Sequence, residues 1–199
     1  MTARPISGRI IIATHNDGKL REFATLLRPF VEEVVSAGML GLSAPEETGD
    51  SFAANAILKA KAGALATGNI ALADDSGLCV TALNGKPGIF SARWGDGKNF
   101  TGAMRRVNNE LGDVQDRSAH FVCVLALCWP DGRSETVEGR CDGHISHEPR
   151  GAHGHGYDPI FIPVGDTRTF AEMGEEQKNI ISHRAQATKA LIEKFFLHN

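Results

Sequence analysis

The stretch Asn69-Ile-Ala-Leu-Ala-Asp74-Asp75-Ser76-Gly77-Leu78-Cys79-Val80 constrains the chain more than any other. Four apolar residues, Ile70 to Ala73, run straight into two carboxylates. Such a run suits a strand buried on both faces, as in a sheet covered by helices. On that basis the strand ends at Asp74-Asp75, with Ser76-Gly77 turning beyond it. Ligands of open α/β sheets collect at this carboxyl edge. Side chains alternate along a strand, so Asp74 and Asp75 point opposite ways. One is expected to face a site while the other ties down the turn. Hard cations such as Mg²⁺ are held through one or two carboxylates plus substrate phosphates. For this segment alone, a turn with solvated carboxylates is the alternative.

The chain of 199 residues is long enough for a substantial core. Its formal net charge of −3 excludes a nucleic-acid binder that works by bulk basicity, so no nucleic-acid partner is expected. Residues 1–8 read as a flexible tail with no apolar run of a signal peptide, and residues 9–199 as a single domain. No apolar run approaches the roughly 20 residues of a membrane span, so no membrane partner is expected. Cys79, Cys123, Cys128 and Cys141 form no C-x-x-C pair. Cys123 and Cys128 lie in an apolar run, where buried reduced thiols are expected, consistent with a cytoplasmic protein.

Arg9 to Ala13 is a short β-branched strand that stops at Thr14-His15-Asn16-Asp17-Gly18-Lys19. Leu20, Phe23, Ala24 and Leu27 then recur at helical spacing, and Pro29 closes the helix. Strand, polar loop and helix point backbone N–H groups and a helix dipole at an anion. The loop is not a Walker motif, and an ordinary Asn/Gly turn with a surface lysine remains the other possibility. A strand is expected at Val31–Val35, an acidic loop at Pro45–Asp50 and a helix from about Ser51 to Ala66. Asn55 and Lys59 lie four apart on that helix, and solvent exposure is the default for such a pair.

Further on, the pattern predicts a strand near Leu78–Leu83, a helix over Phe100–Leu111 and a long strand over Ser118–Trp129. Pro130-Asp131-Gly132 turns that strand into a partner over Arg133–Cys141. Gly151 to Pro159 is a glycine-histidine loop. Ile160–Ile162 is a last strand, and a short helix near Glu172–Asn179 carries Lys178. Ser182 caps the final helix, whose buried face is Ala187, Leu191, Ile192 and Phe195. His183 and Arg184 then sit at a helix N-terminus, an odd place for cations unless a ligand's acceptors lie there.

Four stretches carry a resemblance: Thr14-His-Asn-Asp-Gly-Lys19, Ala73-Asp-Asp-Ser-Gly77, Gly156-Tyr-Asp-Pro159 and Ser182-His-Arg184. In this order and spacing the chain resembles the inosine/xanthosine triphosphate pyrophosphatase family, which clears non-standard purine nucleotides. The resemblance implies an α/β fold: an elongated mixed sheet flanked by helices, in two lobes with an active-site cleft between them. It implies a homodimer, a Mg²⁺ cofactor and hydrolysis of ITP, dITP or XTP to the monophosphate and pyrophosphate. By the same resemblance, Thr14, His15, Asn16, Asp17, Gly18 and Lys19 would hold the triphosphate. Glu46 and Asp75 would hold the metal, with Asp75 also the proton acceptor, and Ser76 would touch the substrate. His155, Gly156, Tyr157 and Asp158, with Lys178, His183 and Arg184, would hold the nucleoside. One position departs from the family, which usually has phenylalanine where this chain has His155.

Water attack at the α-phosphorus needs positioning and charge neutralisation, for which these residues suffice. A septum-inhibition (Maf-type) nucleotide pyrophosphatase is the rival enzyme, and the Ser182-His-Arg184 helix start argues against it. A nucleotide-binding sensor without turnover is the other rival. Asp75, Glu46 and Lys19 argue against that one, since binding alone does not need all three.

Overall fold

The computed structural model describes Ile6, residues 8–95 and residues 100–197, without the side chains of Asp17, Gly18 and Glu22. Within the expected tail, Ile6 is buried. Six strands form one mixed sheet: β1 (Arg9–Ile12), β2 (Glu33–Ser36), β3 (Ile70–Val80), β4 (Ser118–Cys128), β5 (Ser134–Ile145) and β6 (Phe161–Pro163). Five α-helices accompany them among the described residues: α1 (Asp17–Leu27), α2 (Phe52–Thr67), α3 (Phe100–Leu111), α4 (Glu175–Ile181) and α5 (His183–Phe195). The strand order is β2-β1-β3-β4-β5-β6. β1 lies parallel to β2 and β3, whereas β5 and β6 are antiparallel.

The chain divides into two compact units. The first comprises residues 1–75, 124–138 and 187–199, and the second residues 76–123 and 139–186. In the first, Ile10, Ile11 and Ile12 are almost fully buried, as are Phe23 and Leu27 of α1. The small face of α2 lets it lie close to the sheet. A side chain at Gly63 would press on Ala71 of β3 at 3.2 Å. Ser51 caps α2 by accepting from the Ala54 N–H at 3.2 Å, and Gly68 ends it in the left-handed conformation, donating to Ala64 O. The second unit packs α3 through Ala103, Met104, Val107 and Leu111 into a cluster with Phe121, Phe161 and Phe170.

Three expectations need correction. The strand through the paired aspartates does not stop at Asp74-Asp75 and turn at Ser76-Gly77. β3 is continuous from Ile70 to Val80, because each buried carboxylate finds a lysine partner in the fold and does not depend on water. Asn55 and Lys59 are not solvent-exposed: Asn55 is fully buried and Lys59 largely so. β2 begins at Glu33 rather than Val31. The Phe30 and Val31 N–H groups both donate to Leu27 O, which extends the end of α1 at the strand's expense.

Candidate active site

In the first unit the polar loop after β1 is held by its own side chains. Thr14 Oγ1 accepts from the Asn16 N–H at 3.1 Å, and Asn16 Oδ1 accepts from the Lys19 N–H at 3.1 Å, so Asn16 caps α1. His15 Nε2 lies 2.7 Å from Leu42 O, tying this loop to the one after β2. Asp17 and Gly18 form the first turn of α1, and their side chains lie outside the described residues. Thr14, His15, Lys19, Lys59 and Asp74 line a cavity of about 390 Å³ whose remaining wall is mainly alanine, with Leu42, Ser43, Pro45 and Gly63.

Alternation along β3 sends the two carboxylates to different helices. Asp74 accepts from Lys19 Nζ of α1 through both oxygens, at 2.9 and 2.7 Å. Asp75 meets α2, accepting from Lys59 Nζ at 3.4 Å and from Asn55 Nδ2 at 3.2 Å. Lys59 also donates to Glu47 Oε1 at 2.6 Å, so one ammonium bridges two carboxylates. Burial pushes the Asp75 carboxyl above the usual range, against the opposing pull of Lys59, and Glu47 adds to the rise. Burial alone would lower Lys59, yet Asp75, Glu47 and Asp74 together hold it above an ordinary lysine. Asn55 Oδ1 accepts from the Gly49 N–H at 2.8 Å and so fixes the acidic loop beside this group.

Glu46 lies exposed on that loop, while its neighbour Glu47 reaches Lys59. Sequence reasoning missed Glu47, Asn55, Lys59 and the role of Asp74. The usable signal was the four-residue spacing of Asn55 and Lys59 on a helix whose buried face is otherwise the small residues Ala56, Ala60, Gly63 and Ala64. Two polar residues on one face of a close-packed helix need buried partners.

In the second unit Ser76 is half-buried within β3. The glycine-histidine loop is anchored by Asp158, which is 2% exposed. Its Oδ2 accepts from Lys178 Nζ at 2.5 Å and from the His155 N–H at 2.6 Å. A side chain at Gly154, where φ is +79°, would run into that carboxylate. Tyr157 is buried, donates to Ser91 O at 2.9 Å and meets Phe100 edge-on at 5.6 Å, and burial pushes its phenol up. His155 is exposed and Gly156 half-buried. Ser182 Oγ accepts from the Ala185 N–H at 3.2 Å, capping α5. His183 is buried, with its ring stacked on Phe121 at 4.7 Å, and Arg184 is half-buried in the first turn.

The Ham1 family model matches residues 10–194, almost the whole chain. The chain belongs to the Ham1 family. A dITP/XTP pyrophosphatase of Gluconobacter oxydans is 54% identical over 185 residues, covering 92% of this chain and 89% of that protein. One from Zymomonas mobilis is 53% identical, covering 93% of this chain and 90% of its own length. A solved HAM1 protein from Coxiella burnetii superposes with a TM-score of 0.87 at 42% identity, covering 92% of this chain and 95% of that one. This Ham1-family chain therefore has the mixed α/β fold expected of it. No helix among the described residues is long and apolar enough to cross a membrane.

Proposed function

We propose that this Ham1-family chain hydrolyses non-standard purine nucleoside triphosphates, dITP, ITP and XTP, to the monophosphate and pyrophosphate. Its relatives at about half identity, matched over most of their length, are dITP/XTP pyrophosphatases. The observation in the molecule that carries the reading is Asp75: a buried carboxylate, made more basic by burial, yet flanked by an ammonium and an amide. A carboxylate so placed can orient a water and take its proton. Water oxygen bonds to the α-phosphorus as the bond to the bridging oxygen breaks. The electron pair leaves with pyrophosphate, and the water's proton passes to Asp75.

Lys19 and the N–H groups at the start of α1 meet charge on the phosphates. Lys59 holds Asp75 in place. Asp158 orders the loop of His155, Gly156 and Tyr157 and restrains Lys178, which with His183 and Arg184 forms the nucleoside side of this reading. Arg184 has only donors, which a 6-keto purine satisfies and the 6-amino group of adenine does not.

The donor set fits a hard divalent cation. Asp75 and Glu47 already share one cationic partner, Lys59, and carboxylate oxygens suit Mg²⁺. In this reading Asp75 and an acid of the Glu46-Glu47 loop would hold Mg²⁺, which when bound neutralises phosphoryl charge. We also infer a homodimer in the cytoplasm. All four cysteines are buried free thiols, which suits a reducing compartment.

The test is a panel of nucleoside triphosphates with Mg²⁺, assayed for pyrophosphate against free phosphate. ITP, dITP and XTP should release pyrophosphate with kcat/KM far above that for ATP. Release of free phosphate as first product, or equal turnover of ATP and ITP, would refute the reading.

A further inference from the structure

We propose that Asp74 is a positioning residue for Lys19, holding its ammonium at the cavity beside Thr14 so that it meets the phosphates in one fixed place. The inference rests on the proposed function, in which Lys19 is the phosphate-facing lysine. Asp75 has the reactive role there, and Asp74 has had none.

The geometry separates the two neighbours. Asp74 is only 5% exposed, and both its oxygens receive Lys19 Nζ, at 2.9 and 2.7 Å. Lys19 stands in the first turn of α1, where the helix dipole repels a cation. An ammonium on a four-carbon stem would otherwise swing into solvent, away from that field. A carboxylate fixed inside β3 offsets the dipole and removes that freedom. The Lys19 side chain nevertheless keeps 31% of its surface, and Lys19 and Asp74 both line the cavity. An incoming phosphate can thus share the ammonium without first ordering it.

Asp75 cannot substitute, because strand alternation turns it towards Asn55 and Lys59 of α2. Each carboxylate holds one lysine, and the two lysines come from different helices. Removing the charge at position 74 therefore frees Lys19 while leaving the Asp75 contacts in place.

The experiment is a double-substitution cycle of Asp74→Asn and Lys19→Met, with all four proteins checked for unchanged circular dichroism. Asp74→Asn alone should lower kcat for ITP by about tenfold or more, since a misplaced group costs that much. It should tighten binding of inorganic tripolyphosphate in calorimetry, because a negative charge has left the cavity. In the Lys19→Met background the same substitution should change kcat less than twofold. The double variant also removes the carboxylate that Lys19→Met deprives of its lysine, so it keeps the cycle readable if that single variant folds poorly. Asp74→Glu, which keeps the charge, should recover part of the lost kcat.

Equal losses of kcat in both backgrounds would overturn the proposal, as would unchanged kinetics in Asp74→Asn. Loss of kcat together with an altered circular dichroism spectrum or a collapsed Tm would also overturn it, pointing to a role in folding. If the unmodified protein hydrolyses no nucleotide, the proposed function fails. The tripolyphosphate arm then decides Asp74, since binding that does not depend on Lys19 overturns the inference.

Discussion

Replacing Asn55 with alanine tests whether the acidic loop, α2 and Asp75 form one polar unit. Asn55 is fully buried and uses both ends of its amide: Oδ1 takes the Gly49 N–H at 2.8 Å, and Nδ2 donates to Asp75 Oδ2 at 3.2 Å. Alanine removes both bonds and leaves a small void. Gly49 is half-buried, so its freed N–H regains some water. Asp75 loses a charge-assisted donor, the costlier half. Together the loss is about 2–4 kcal/mol, from roughly 1 for the partly solvated amide and the rest for the carboxylate and the void. For a chain of this size that lowers Tm by roughly 4–16 °C, which thermal circular dichroism reads directly.

Asn55→Asp sharpens the test. It keeps the acceptor for Gly49 but sets a second carboxylate about 3 Å from Asp75, a separation at which two carboxylates resist joint ionisation. One carboxyl of the pair then has a folded pKa above its unfolded value. The penalty is absent below the unfolded carboxylate pKa of about 4 and grows as pH rises through the folded one. Asn55→Asp should therefore approach the unmodified protein's Tm near pH 4 and fall behind it at neutral pH. Asn55→Ala should trail at both. An Asn55→Ala protein with unchanged Tm, or an Asn55→Asp deficit that does not depend on pH, would refute the account.

Asp75→Asn should abolish pyrophosphate release while the circular dichroism spectrum stays that of the unmodified protein; near-normal turnover would end its assignment as proton acceptor. His155→Phe should keep kcat and lower KM for ITP, because a larger aromatic face is offered to the base. A large loss of kcat would instead give the exposed imidazole a polar role. Burial pushes the Cys141 thiol up to about 11, with Asp142 adding to the rise. At pH 8 its thiolate fraction should be about a hundredfold below that of a thiol near 9, so iodoacetamide labelling should be slow and climb only towards pH 11.

Much of the fold was legible because periodicity and caps speak locally. The helix over Phe100–Leu111 has its expected bounds, and Ser182 caps α5 as its position suggested. β5 was harder: it extends to Ile145, four residues past the expected Cys141. Its inward positions include Gly139 and Gly143, which carry no apolar signal. Gly143 is small because Ile162 O and the Phe161 ring occupy the space a side chain would fill. Asn55 and Lys59 failed for a related reason. A sequence shows that a residue is polar, but not that another polar residue dozens of positions away will meet it in the interior.

The same gap explains β3. A run that turns polar reads as the end of a strand, because an unpaired buried carboxylate costs too much. Asp74 and Asp75 reverse that inference only because Lys19 and Lys59 arrive from two separate helices. A strand built for stability alone would carry apolar residues at both positions, since well-packed hydrophobic replacements of buried ion pairs are often neutral or stabilising. Had the strand ended at Asp74, both carboxylates could have turned to solvent and neither would hold a lysine. Continuity of the strand instead locks one carboxylate to α1 and its neighbour to α2. Two charges adjacent in sequence are thereby set to different tasks, and the desolvation this demands is itself what makes Asp75 more basic than a surface aspartate.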